Sequence, residues 1–503
     1  MPEPQSTPRG DRNPVIVWFR NDLRLGDNPA LTRAATTGRP VIPLFILDEA
    51  APGVRPLGGA ARWWLHQSLL ALDQSLCALE PGAPQGLPLC LRRGATLEVL
   101  RALIAASGAS CVFCNRTSDP ALERLDGIVA EALDAHGIAF DRGPGTLLAE
   151  PDTFLTGNSG PFRVFTAFWN RLATRDVPRP LPPPRRLIGY TPSVSSDRLE
   201  DWALLPDRSW DSGFSSRWKP GERGARERLV AFLNLPLEHY PHVRDLPAVE
   251  GTSRLSPHLH FGEISVREVW HALQPSHSGH PGAATGNAFL RELGWREFAA
   301  HTLYHYPTLP EHPLRPEYVR FGWLEDPPGF KAWCRGQTGY PIVDAGMREL
   351  WHTGWMHNRV RMITSSFLVK DLLITWQRGE AWFWDTLVDA DRASNALNWQ
   401  WVSGSGVDAA PYFRIFNPVT QSRRFDPEAG YLRRWLPELR ALPTPAIHAP
   451  WTAQPEVLAR AGVRLGETYP WPIVEHDAAR RRALARFHAL RRPLNVRTPE
   501  PGD

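Results

Sequence analysis

Cysteine is scarce in this 503-residue sequence: Cys77, Cys90, Cys111, Cys114 and Cys334. So few thiols exclude a disulfide framework and suit a reducing cytoplasm. Cys111 and Cys114 form a CxxC inside ASCVFCN, but no second cysteine pair exists to complete a zinc or iron–sulfur site, and no metal is expected. That run reads instead as a buried strand. No apolar run approaches the length of a membrane span, and the polar start MPEPQSTPRGDRN reads as a disordered lead rather than a signal peptide. Neither sign of charge dominates: the formal net charge is +4, which permits a local basic face without demanding nucleic acid. The GxGxxG fingerprint is missing from the first domain, which excludes the usual mode of NAD binding there. Internal repeats and low-complexity tracts are missing as well.

What is present is an ordinary globular composition, 42% hydrophobic and 22% charged, long enough for two or three domains. Residues 15–19 (VIVWF) and 41–47 (VIPLFIL) are short apolar β-rich runs of the kind buried inside a parallel sheet. Leu87–Leu91, Ser110–Cys114 and Ile138–Phe140 are further strand candidates, separated by helical patterns at Ala60–Leu79, Thr96–Ala106 and Ala121–His136. Asp27-Asn28-Pro29 offers an N-cap with proline at the first helical position. Alternating strands and helices predict a doubly wound α/β domain over 13–145. Residues 146–225 form a connector whose VPRPLPPPRR stretch is too proline-dense for regular structure. Strand signals then nearly vanish, predicting an all-α domain over 226–490 and a polar tail over 491–503.

The helical half concentrates unusual chemistry between Gly339 and Leu439. Trp351, Trp355, Trp376, Trp382, Trp384, Trp399 and Trp401 are interleaved with Arg359, Arg361, Asp389, Asp391, Asn395 and Arg414. Apolar walls with a few placed polar groups describe a pocket for a flat aromatic cofactor. They equally describe a large helical core with a polar rim. Upstream, EGTSRLSP (Glu250–Pro257) runs into a helix with Ser256 as N-cap and Pro257 at the first position. Its backbone N–H groups, hydroxyls and Arg254 suit an anion, or simply cap the helix. A carboxylate such as Asp389 or Asp391 beside Arg361 can accept a ring N–H, or form a structural ion pair. The amide of Asn395 can accept from a protonated ring nitrogen or donate to an unprotonated one, which suits a redox centre; a helix-end cap is the alternative. Stacked indoles such as Trp399, Trp376 and Trp323 build cores, and they also relay electrons. Arginines interleaved with aromatics (Arg244, Trp295, Arg359, Trp401, Arg414, Arg423, Arg424) suit nucleic-acid capture or a solvated basic rim.

Long motifs decide among these readings. VIVWFRNDLRLGDNPAL, RDLPAVEGTSRLSP, RELGWREF, TGYPIVDAGMRELWHTGWMHNRVRM, NWQW and DAAPYFRIFNP together resemble the cryptochrome/photolyase family, over nearly the whole chain. Within it the chain resembles bacterial cyclobutane pyrimidine dimer (CPD) photolyases, with DAGMRELWHTGWMHNR and FWDTLVDAD closest to the plant-cryptochrome-like type. The resemblance implies an α/β antenna domain and a helical domain holding FAD. Tyr240, Thr252, Ser253, Arg254, Leu255 and Ser256 then match the FAD phosphate and ribityl contacts. Asn358, Arg361, Asp389, Asp391 and Asn395 match the flavin-ring contacts, with Asn395 facing flavin N5. Trp399, Trp376 and Trp323 match a photoreduction chain, from the flavin outward. Glu292, Trp295, Asn358, Met362 and Trp401 match the lesion pocket, with Arg244, Arg359 and Arg414 on the DNA backbone. The activity implied is light-dependent repair of UV-damaged DNA by electron transfer from FADH⁻ to a flipped-out dimer.

Subclass rests on particular positions. Photolyases acting on (6-4) lesions carry histidines where Asn358 and Met362 stand here. Plant cryptochromes, the photoreceptor alternative, carry an aspartate where Asn395 stands and add a long C-terminal extension. Where many bacterial CPD enzymes read NNGGWQW, this chain reads NALNWQW. A flavoprotein using a nicotinamide donor is disfavoured by the missing fingerprint. Trp382 and Trp384 offer either a branched electron route or core packing. For the antenna, Asp48 and Asn115-Arg116 lie on strand ends; methenyltetrahydrofolate is the first expectation and 8-hydroxy-5-deazaflavin the second. A cytoplasmic monomer is expected.

Overall fold

In the computed structural model Val15–Phe19 is buried at every position and becomes β1, the central strand of a parallel sheet. The described residues are 13–79, 87–190, 192, 194–206, 210–274, 288–408 and 413–490. The expected tail and part of DAAPYFRIFNP lie outside them. The sheet also contains β2 (Pro40–Leu47), β3 (Cys90–Arg93), β4 (Cys111–Asn115) and β5 (Ala139–Gly143), in the order β3-β2-β1-β4-β5. A short β6 (Ile188–Gly189) returns from the connector to pair with the start of β2. Ile16 stands opposite both Ile42 and Val112. Val15, Val17 and Phe19 enter one core while Ile16 and Trp18 enter another, as the two-residue period requires when both faces are covered.

The covering helices are α1 (Pro29–Thr36), α2 (Gly59–Cys77), α3 (Thr96–Ser107) and α4 (Pro120–Asp134). Asn28 caps α1 by accepting from Leu31 N–H at 3.1 Å. The expected strand at Leu87–Leu91 is displaced: pairing begins at Cys90, opposite Leu44, while Leu87 and Leu89 are buried as loop. Cys111 and Cys114, three apart on β4, face opposite cores, and burial pushes their thiols up to about 11 and about 12.

Beyond Val177–Arg186, which holds no regular element, helices dominate, apart from β6 and an isolated bridge between Leu465 and Tyr469. The helices that position the site are Ala288–His305, Asn358–Ser366, Trp376–Thr386 and Arg392–Ser403. Arg392–Ser403 packs between Ala288–His305 and Trp376–Thr386, and α2 packs on Trp376–Thr386, joining the two halves. Gly379 permits a close contact between two of these helices: a Cβ there would collide with the edge of the Trp399 ring. No helix of the described residues is long and apolar enough to cross a membrane.

Candidate active site

A cavity of about 460 Å³ opens where these helices meet. The Ala288–His305 helix turns Glu292, Trp295 and Arg296 towards it, as positions i, i+3 and i+4 share a face. From the Asn358–Ser366 helix come Asn358, Arg359, Arg361 and Met362; from the bend before and the start of Arg392–Ser403 come Asp389, Asp391, Ser394 and Asn395, with Trp399 and Trp401 further along.

The inner side is a dense polar network. Arg361 donates from Nη2 to both oxygens of Asp389 at 2.8 and 3.1 Å, and from Nε to Met356 O at 2.7 Å. Ser256 Oγ donates to Asp389 Oδ2 at 2.6 Å. Ser256 is therefore not the N-cap expected from sequence: Leu255 takes that place and Ser256 is the first residue of the short helix Ser256–His260. The capping role falls elsewhere. Asp391 caps Arg392–Ser403 by accepting from Ser394 N–H at 2.7 Å, and Nδ1 of buried His357 accepts from Arg359 N–H at the start of Asn358–Ser366. Burial lowers His357 to about 4, so the cap is neutral. Asn395 is no cap either. It is buried in the first turns of its helix, and Nδ2 donates to the main-chain carbonyl of Glu380 at 3.0 Å and to its Oε1 at 2.8 Å. Oδ1 has no partner among the described residues and is the end left for a ligand.

The anion loop reaches the cavity through Ser256. Arg254 has φ 52°, a left-handed conformation rare outside glycine. Its guanidinium lies 5.2 Å over Trp355, on which Arg361 also sits at 5.9 Å. Arg254 pairs with Glu250 at 3.3 Å and Arg361 with Asp389 at 2.8 Å, and half-buried Thr252 and buried Ser253 stand alongside, so the corner is rich in hydrogen-bond donors. Arg228 Nη2 holds the loop by donating to Ser253 O at 3.4 Å. Leu255 is buried, and Tyr240 is buried beneath Arg244, 5.6 Å from its ring. A dinucleotide with a flat ring system fits this donor set: an ion-paired carboxylate and an amide oxygen with no partner among the described residues in one enclosure, adjoined through Ser256 by a donor-rich loop.

Trp399, Trp376 and Trp323 belong to one apolar cluster. Trp399, on the cavity wall, and Trp376 are buried, and Trp323 is half-buried. Trp382 and Trp384 part company. Trp382 stacks on Trp351 at 6.0 Å and 7°, and Trp351, 48% exposed, continues to Trp210 at 5.3 Å. Trp384 donates to Pro56 O at 2.8 Å in the α/β half.

The outer side is looser. Arg244 pairs with Glu292, and Arg359 with Asp245 at 2.7 Å while lying 4.4 Å over Phe425. Trp295 stacks on Phe165 at 3.7 Å and 7°. Beside the cavity runs a groove of about 610 Å³ that shares Arg359 and adds Arg414, Arg424 and Arg480. Arg423 is exposed nearby. A second cleft, about 240 Å³, lies between the halves and shares Arg296 and Asp391 with the main cavity; Trp18, Phe45, Asp48 and Arg55 line it. Asn115 and Arg116 do not offer a ligand site. Asn115 is buried and bonded to Ala30 N, Asp22 and Asn28, and Arg116 pairs with Glu123 and Asp152.

Arg55, Glu380, His357 and Arg296 also shape the site, and sequence reading did not single them out. Glu380 touches Asn395 across two helices that share no periodic signal. HTGWMHN, with its histidine one residue before a helix, carried a cap signal that was legible.

Two sequence families match the chain: "DNA photolyase" over residues 15–185 and "FAD binding domain of DNA photolyase" over 289–489. A deoxyribodipyrimidine photo-lyase of Agrobacterium fabrum is 48% identical, over 95% of this chain and 98% of that protein. Cryptochrome-1 of Arabidopsis thaliana is 41% identical over 93% of this chain and 69% of that protein. A crystal structure of a bacterial class III photolyase from Agrobacterium tumefaciens superposes with a TM-score of 0.91 at 47% identity, covering 97% of this chain and 99% of that one.

Proposed function

The chain belongs to the DNA photolyase and cryptochrome family, and from that premise we propose that it is a deoxyribodipyrimidine photolyase, a lyase that splits cyclobutane pyrimidine dimers in DNA under light. One observation carries the reading: Glu292, Trp295, Asn358, Met362 and Trp401 line the same cavity of about 460 Å³ as Arg361, Asp389 and Asn395. Electron transfer to a lesion needs donor and acceptor in one enclosure, and a receptor that only senses light has no use for the first set.

FAD, when bound, supplies the light-driven electron that opens the cyclobutane ring and is then returned. The chain's own residues do the rest. Ser253, Arg254 and Ser256 hold the phosphates, with Tyr240, Thr252 and Leu255 shaping the loop. Asp389, oriented by Arg361, accepts a ring N–H. Trp399, Trp376 and Trp323 carry electrons inward when the cofactor must be reduced. Trp295 and Trp401 give faces to a base turned out of the duplex, and Arg244, Arg359 and Arg414 hold the flanking backbone. Glu292 meets a dimer carbonyl and stabilises charge where it develops. In the free protein Arg244 occupies that carboxyl group, so a phosphate that draws Arg244 away also frees Glu292.

The antenna we assign to the cleft of about 240 Å³, with methenyltetrahydrofolate as first candidate and 8-hydroxy-5-deazaflavin as second; Trp18, Phe45 and Asp48 on its wall support a flat pigment there. Residues 13–145 form the antenna unit, 146–225 the connector and 226–490 the catalytic unit of a cytoplasmic monomer. Five free cysteines agree with that compartment. The deciding test illuminates two oligonucleotides, one with a thymine CPD and one with a (6-4) lesion, alongside reduced protein and a dark control. Loss of the CPD only in light is expected. Repair of the (6-4) product would overturn the roles of Asn358 and Met362, and no repair with flavin bound and photoreducible would make the chain a photoreceptor.

A further inference from the structure

The amide of Asn395 has two ends of opposite polarity, and the structure commits one of them. Nδ2 spends both hydrogens on Glu380, at 3.0 Å to the carbonyl and 2.8 Å to Oε1. Turned by half a rotation, the amide would set Oδ1 against a carboxylate and a carbonyl, so the flip is fixed by its neighbours. Glu380 is only 3% exposed, and its Oε1 also accepts from Arg55 Nη1 at 2.7 Å. Arg55 comes from the other half of the molecule and lies 4.3 Å over the Trp384 ring. The stretch around it is fastened to the same helices. Trp384 Nε1 donates to Pro56 O, Gly59 N–H to Asp385 Oδ1 at 2.9 Å, and Arg392 to Gly53 O at 3.0 Å. At Gly58 a Cβ would collide with the Trp384 carbonyl, so this approach requires glycine.

We propose that Arg55 and Glu380 are positioning residues that lock Asn395 as a hydrogen-bond acceptor towards flavin N5, and that the α/β half thereby sets the redox preference of the cofactor in the helical half. The inference rests on the cavity being the FAD site. Uptake of two electrons and one proton gives a flavin with N5–H, which donates to Oδ1. Oxidised N5 offers only a lone pair, which a locked acceptor repels. The lock therefore favours the reduced cofactor that repair requires.

The test is a dithionite redox titration of FAD-loaded protein, with FAD content and melting temperature recorded alongside. Glu380→Leu frees the amide to turn and should shift the equilibrium towards oxidised flavin about tenfold, a fall of ~30 mV for a two-electron couple. The sign is diagnostic, since removing a carboxylate for its charge alone would raise the potential. Glu380→Gln keeps an acceptor for Nδ2 and should not lower it. Arg55→Met should lower it, and Arg55→Lys should restore it. A parental or raised potential in FAD-bound Glu380→Leu overturns the inference; if that variant does not fold, a parental potential in Arg55→Met does so. A packing role alone would lower the melting temperature and leave the potential unmoved. Repair is scored separately on the parent: titration shifts without CPD repair would sink the repair reading and leave the lock standing, whereas a parent that binds no FAD would sink both.

Discussion

The two sides of the cavity are built by different rules. On the inner side Asp389 and Asn395 are 8% exposed and Glu380 3%, and each carries two or more hydrogen bonds to named partners. On the outer side Asn358 is exposed, and Arg244 and Glu292 keep 25% and 31% of their side chains in solvent. Buried polar groups must be satisfied within the fold, so the inner network is fixed before any ligand arrives. Half-exposed ion pairs cost little to break, so the outer side can exchange a protein partner for a substrate. A resident cofactor and a transient substrate call for this division.

Changes inside should therefore damage the holoprotein, and changes outside should damage turnover alone. The largest effect is expected from Gly379→Val, whose side chain must displace the Trp399 ring; unfolding should show a loss of about 3 kcal/mol with poor FAD retention. A variant as stable as its parent would mean the helix pair is slack. Trp399→Phe comes next: photoreduction of oxidised flavin should slow sharply, while chemically reduced protein repairs normally. Unimpaired photoreduction would shift attention to the Trp382–Trp351–Trp210 stack. Glu292→Ala should lower the repair rate up to about tenfold with flavin content unchanged, the value of one well-placed hydrogen bond. An unchanged rate removes its role. Arg414→Ala should weaken DNA binding alike on all sequences and reduce the slope of log affinity against log salt by about one, measured by fluorescence titration.

The smallest effect concerns acid. His357 is lowered to about 4 from an ordinary 6.5, so the unfolded chain takes up its proton first as pH falls. Its contribution to stability is complete above pH 6.5 and is lost as pH drops towards 4. One pH unit below 6.5 the loss approaches ~1.4 kcal/mol. His357→Asn, which can still cap, should flatten this part of the stability profile; an unchanged profile would place the acid sensitivity elsewhere.

The same contrast governs what was legible in advance. β1 and α1 are stated by local residues, an uncharged run and an Asn-Pro cap, and both formed where expected. β3 began three residues later than its apolar run, because pairing with Leu44–Leu47 sets a strand's limits and a buried leucine does not need to be in the ladder. Individual site residues were legible through long motifs. Their partners were not: nothing local ties Ser256 to Asp389 or Glu380 to Asn395, since those bonds join segments that only tertiary packing brings together. The antenna expectation at Asn115 failed for a related reason, as a strand-end amide serves equally well to pin neighbouring loops.

The two sulfurs of β4 give the sheet a clock. Lying on opposite faces of an intact strand, they cannot be joined by oxidation, and little thiolate is available for attack at neutral pH. A crosslink between Cys111 and Cys114, or their modification by a bulky reagent, must wait until the strand has left its layer. The rate at which these thiols become reactive in strong light or heat would thus time the opening of the α/β half.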